Sequence, residues 1–167
     1  MVDAPALAVA LVVPVLGGMI GGFATASQIK GWYATLKKPW WNPPNWLFGP
    51  VWTCLYAAMG YASYLVYEQG GFAKQAVPLG VYIAQLALNF LWTPLFFTLH
   101  RFDLATVDIL AMWGMIVATI ATFYPVIGAW ALGLLIPYLA WVSYASALTI
   151  WIWRNNPAKP VLVKKQE

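Results

Sequence analysis

The sequence predicts an all-α protein, a five-helix transmembrane bundle with its N- and C-termini on opposite sides of the membrane. Three observations predict it. Of 167 residues, 62% are hydrophobic and only 8% charged, too apolar for an ordinary soluble domain. No Asp, Glu, Lys or Arg occurs in residues 4–29, 39–67, 75–100 or 109–153. These runs are continuously apolar, without the period-two alternation of barrel strands, so helices are expected.

The first three runs each suffice for one helix across a hydrocarbon layer about 30 Å thick. The fourth would reach roughly 68 Å as one helix, so it must fold back. FYPVIG at 123–128 supplies the proline and glycine for that reversal. The spans are placed at 5–27, 46–68, 78–99, 104–124 and 129–153, in one domain covering 1–167. The first span has no basic segment before it and is longer than a usual signal-peptide core, so it is read as a mature helix. It carries Gly17, Gly18, Gly21 and Gly22, a close-approach face for packing within the bundle or for a homodimer. Gly80 and Ala84 offer a second such face on the third span.

With five spans, eight basic residues fall on one side: Lys30, Lys37, Lys38, Arg101, Arg154, Lys159, Lys164 and Lys165. Lys74 stands alone on the other. Loop one and the C-terminus are therefore expected in the cytosol, facing membrane lipid headgroups. The net charge of +4 reads as topology and gives no reason to invoke nucleic acid. Cys54 is the only cysteine, so no intrachain disulfide can form.

Eleven tryptophans suit an interfacial belt at Trp32, Trp40, Trp41, Trp46, Trp130, Trp151 and Trp153. Trp52, Trp92, Trp113 and Trp141 lie too deep for one. Gln85, Asn89, Trp92 and Phe96 share a helical face, and amides in lipid need partners, so that face should point inward. Asn89 is open to two readings, glue between helices or ligand contact. Trp52 and Trp141 at similar depth favour the second. The expected site is an aromatic-walled pocket toward the cytosolic half, suited to a flat, mostly apolar guest. Asp108, one turn into the fourth span, reads as a charge favoured by the helix dipole.

The connection KKPWWNPPNW, residues 37–46, is stiffened by Pro39, Pro43 and Pro44. With Trp41 and Trp46 it is expected either to anchor the connection in the membrane or to form a lid whose lysines attract a carboxylated guest.

At these residues the chain resembles the translocator protein family, the tryptophan-rich sensory proteins. The likeness runs through PVLGGMIGG, WYATLKKPWWNPPNWLFGPVWTCLYAAMGYASYLV, PLGVYIAQLALNFLWTPLFF, LATVD and PYLAWVSYASALTIWIWR. The resemblance implies a five-helix membrane receptor or carrier for porphyrins such as protoporphyrin IX, with cholesterol and synthetic drugs as further ligands. It implies ligand contacts at Trp52, Asn89, Trp92, Trp141, Ala145, Leu148, Gly22 and Phe48, and a lid over the pocket. The animal members' sterol pattern needs a tyrosine that LTIWIWR lacks between Leu148 and Arg154, although Trp151 offers a ring.

The alternative is a light-dependent porphyrin-degrading enzyme, with Trp52 and Trp141 as electron donors. One histidine and five acids supply no triad, metal cluster or paired carboxylates, so no catalytic set, metal or required cofactor is expected. His100 beside Arg101 reads as interfacial. A pore would need more polar lining. The resemblance places the chain in the mitochondrial outer membrane if eukaryotic, and in a bacterial membrane otherwise.

Overall fold

A computed structural model describes residues 3–156. Lys159, Lys164 and Lys165, counted above toward the basic side, lie outside them. Five long helices account for nearly all of it, and the described residues contain no strand. They are α1 (Ala4–Lys30), α2 (Asn45–Tyr67), α3 (Gly71–Thr93), α4 (Phe102–Ile127) and α5 (Ala129–Asn155). A short 3-10 turn, Trp32–Thr35, follows α1, and a wider π-type turn, Pro94–Thr98, extends α3. Asp3 opens α1 by accepting the Ala6 N–H at 3.1 Å.

Four of the helices, α1, α3 with its extension, α4 and α5, are long and apolar enough to cross a membrane. α2 has the length, but Asn45, Trp52 and four tyrosines dilute its apolar character.

Two boundaries differ from expectation. The third span was expected from residue 78, but its helix begins at Gly71. Pro78 has no N–H for the carbonyl four residues back and its ring crowds that turn, so Gln75 leaves helical geometry at φ −114°, ψ 29°. The result is one helix with a kink. The reversal expected across residues 123–128 needs one residue. α4 runs through Pro125 to Ile127, and Gly128 turns the chain at φ 56°, where a side chain would be strained.

The core lies among α2 to α5, where Met59, Ala62, Val66, Ile116, Phe123, Leu135, Tyr138 and Val142 are essentially inaccessible. α1 is peripheral, with only Pro14 and Thr25 buried. It docks by bare backbone: a Cβ on Gly60 would collide with the Ala10 carbonyl, one on Gly18 with the Tyr56 ring, and one on Gly17 with Phe90. The Gly17 and Gly18 positions are thus used inside the chain. Gly80 and Ala84 are exposed, with open space beside Gly80.

The end of α5 sits at the loop-one end of the bundle, where the Asn156 amide pairs with both backbone groups of Lys37. Asp3 lies at the far end, beside Tyr64 and Tyr67. The two ends of the described chain are therefore at opposite ends of the bundle.

Candidate functional site

A cavity of about 470 Å³ occupies the loop-one half of the bundle. α2 brings Trp52 and Tyr56 to it one turn apart, α3 brings Asn89 and Trp92, and the π-type turn that extends α3 brings Phe96. Gly22 comes from α1, Phe48 from the first turn of α2, and Ala145 and Leu148 from α5. Seven of the eight expected contact positions therefore face one space.

The eighth does not. Trp141 is absent from the cavity wall and stands behind it, its ring 5.9 Å from Phe48 and 5.7 Å from Tyr144. Phe48 takes the position that depth along α5 suggested for Trp141. Trp113, too far along its helix for the interfacial belt, does not reach the cavity either. It is 39% exposed, and its indole N–H donates to Ser143 Oγ at 2.8 Å on the outer seam of α4 and α5.

The floor is polar and closed. Tyr56 OH donates to Asn89 Oδ1 at 2.6 Å, and Asn89 Nδ2 donates to Tyr138 OH at 2.8 Å. Gln85 Nε2 donates to the same phenol oxygen, whose own proton points at Met112 Sδ, 3.6 Å away. One chain of bonds thereby joins α2, α3, α4 and α5. Gluing explains both amides, although Asn89 also reaches the cavity wall.

Above the floor the walls are rings. Trp92 stacks on Phe96 at 4.9 Å, and its indole N–H is buried without an acceptor. Trp52 lies 5.5 Å from Tyr56 and 6.1 Å from Tyr138. Flat faces with few polar groups can grip a planar apolar guest by stacking.

The loop closes the end. Tyr33 of this loop is buried and lines the cavity. The Tyr33 hydroxyl donates to Asn42 Oδ1 at 2.9 Å, and burial, with Tyr144 nearby, pushes its pKa up to about 12. The Lys38 ammonium donates to the carbonyls of Tyr33 at 2.7 Å and Leu36 at 3.2 Å, and sits 4.8 Å over the Tyr33 ring. Burial lowers its pKa. That lysine is thus spent on fixing the loop, not on attracting a guest. The expected lid residues Trp41, Pro43, Pro44 and Trp46 do not line the cavity. Trp41 packs on Tyr144 at 5.5 Å, Pro43 is buried, Pro44 precedes α2, and Trp46 is 72% exposed.

The dipole role read for Asp108 belongs instead to Asp103, in the first turn of α4 and paired with Arg101 at 2.6 Å. Asp108 is 6% exposed, and neither carboxyl oxygen has a hydrogen-bond partner. His100 stacks on Trp32, ring centres 3.7 Å apart. No group of three His, Cys, Asp or Glu among the described residues could hold a metal.

Sequence reasoning missed Tyr33, Tyr56 and Tyr138. Tyr56 was legible, four residues after Trp52 on the same face. Tyr138 had only an indirect signal, the need of two buried amides for a partner.

The chain is similar to proteins from all domains of life. It is 46% identical over 145 residues to the translocator protein of Homo sapiens, covering 86% of this chain and 85% of that one. It is 45% identical over 148 residues to the translocator protein of Bos taurus, covering 87% of each. It is 42% identical over 139 residues to the tryptophan-rich protein TspO of Archaeoglobus fulgidus, covering 83% and 89%. The sequence model of the TspO/MBR family matches residues 10–154, which span all five helices and the latched loop. The chain belongs to the TspO/MBR family.

Proposed function

We propose that the chain is a membrane receptor or carrier that binds porphyrins, protoporphyrin IX among them, in the cavity under loop one. The observation that supports this best is the wall itself: the rings of Trp52, Trp92, Phe48 and Phe96 line one space above a satisfied polar floor. Sterols and synthetic drugs of similar flatness are the further ligand class. In this reading α2 also crosses the bilayer, with Tyr56 and Tyr64 buried against the bundle, and the basic loop-one end faces the cytosol. The membrane is the mitochondrial outer membrane in a eukaryote and a bacterial membrane otherwise.

Titration of protoporphyrin IX into the protein in liposomes, followed by the porphyrin's Soret shift and by tryptophan quenching, tests this. Saturable binding in the micromolar range is expected. Quenching that rises linearly, as for a dye partitioning into lipid, would refute it.

The second reading, light-driven porphyrin breakdown, is favoured by one observation: the Trp52 ring is in the wall, able to meet an excited guest. Under illumination that reading requires faster loss of the Soret band in the complex than in free porphyrin.

A further inference from the structure

We infer that guests pass between the bilayer and the cavity sideways, through a gap between α1 and α2, while the loop end stays latched. This inference concerns the route and rests on the binding reading above.

The two helices close and part along their length. At the far end they touch through backbone, where Gly60 meets the Ala10 carbonyl, and Gly18 then lies against the Tyr56 ring. One turn further, at Gly22, a Cβ would meet nothing within 4 Å, and the same holds for Gly49 on α2. Both glycines line the cavity and both are exposed. So do Met19 and Phe23 on α1, 45% and 76% exposed, and Thr53 on α2. Residues of both α1 and α2 that border the cavity and are also exposed mark the seam between these two helices as the open part of the wall. The opening is a wedge with its apex at Gly18 and Tyr56.

The alternative route, through the loop, is bonded shut. Lys37 N–H donates to Asn156 Oδ1 at 2.9 Å, and Asn156 Nδ2 donates to Lys37 O at 3.0 Å. Tyr144 OH donates to the Trp41 carbonyl at 2.6 Å. Both tie the loop to α5. The Tyr33–Asn42 bond and the Lys38 ammonium hold it internally. Lifting the loop breaks several of these at once. Among the described residues no side-chain hydrogen bond joins α1 to α2, so parting them further breaks none. A flat apolar molecule dissolves in the hydrocarbon on which this gap opens, and need never cross the charged end.

The test mixes proteoliposomes with vesicles preloaded with protoporphyrin IX and follows tryptophan quenching by stopped flow. Release is followed by chasing with empty vesicles. Gly49→Phe should narrow the gap and slow both loading and release about tenfold. Thr53→Trp, on the same rim, is the second variant should the first misfold. Asn156→Ala and Tyr144→Phe release the loop and should leave both rates within twofold of the native chain. Weaker binding at an unchanged loading rate in both rim variants would make these positions part of the site, not of a passage. Loading accelerated tenfold by releasing the loop would put the route at the loop end. Either result overturns the inference. A native chain that shows no saturable quenching fails at the binding reading itself.

Discussion

The bundle is built on two different principles above and below Asn89. Toward the far end, α2 to α5 are stitched by the Tyr56–Asn89–Tyr138–Gln85 bonds, and α1 lies on bare glycine backbone. Toward loop one, rings replace hydrogen bonds and the helices stand apart around about 470 Å³ of space. Without water in the bilayer, apolar surface gives helices little reason to associate, so tight packing and polar bonds must do so. A cavity can be carried in one half because the other half is closed this firmly.

The sharpest way to break this contrast is at Tyr138. Tyr138→Phe removes the acceptor of two buried amides and should cost about 1–3 kcal/mol for each amide left unpaired. Thermal or denaturant unfolding in detergent measures it, and a native-like midpoint would mean that the floor does not hold the bundle. Next come the glycines. Gly60→Ala forces a methyl group into the Ala10 carbonyl and should destabilise by about 1–3 kcal/mol, because backbone cannot move aside as a side chain can. Gly22→Ala, in open space, should stay within about 0.5 kcal/mol. Equal losses at the two sites would erase the difference between the halves.

In the open half the effects fall on binding. Trp92→Ala removes a wall ring and should weaken protoporphyrin binding about tenfold, near 1.4 kcal/mol, read from the Soret shift so that the lost fluorophore does not interfere. Trp141→Phe should have the smallest effect, less than about threefold, because that ring does not line the cavity and packs instead on Phe48, which does. A larger loss from Trp141 than from Trp92 would reverse the assignment of wall and support.

Charge-free run lengths fixed helix number, order and approximate ends, because hydrocarbon thickness sets a length that no tertiary detail can alter. The sequence pattern was less informative where single prolines act. Nothing in the composition distinguishes Pro78, which distorts Gln75, from Pro125, which α4 absorbs in its last turn. At the site, helical spacing placed Asn89, Trp92 and Phe96 together, since the face of one helix is a local property. Trp141 and Phe48 could not be ordered that way. Which of two rings from different helices stands in front depends on the tilt and rotation of both. The latch between Lys37 and Asn156 joins positions 119 residues apart and leaves no local trace.

One phenol oxygen serves two amides, and this constrains how the chain can vary. Gln85, Asn89 and Tyr138 form a thermodynamic unit, so their substitutions should not add. Losing Tyr138 after Gln85 and Asn89 have become apolar should cost far less than losing it first. Related sequences are thus expected to exchange the three together, and a chain bearing only part of the set would be an unstable intermediate between two stable solutions.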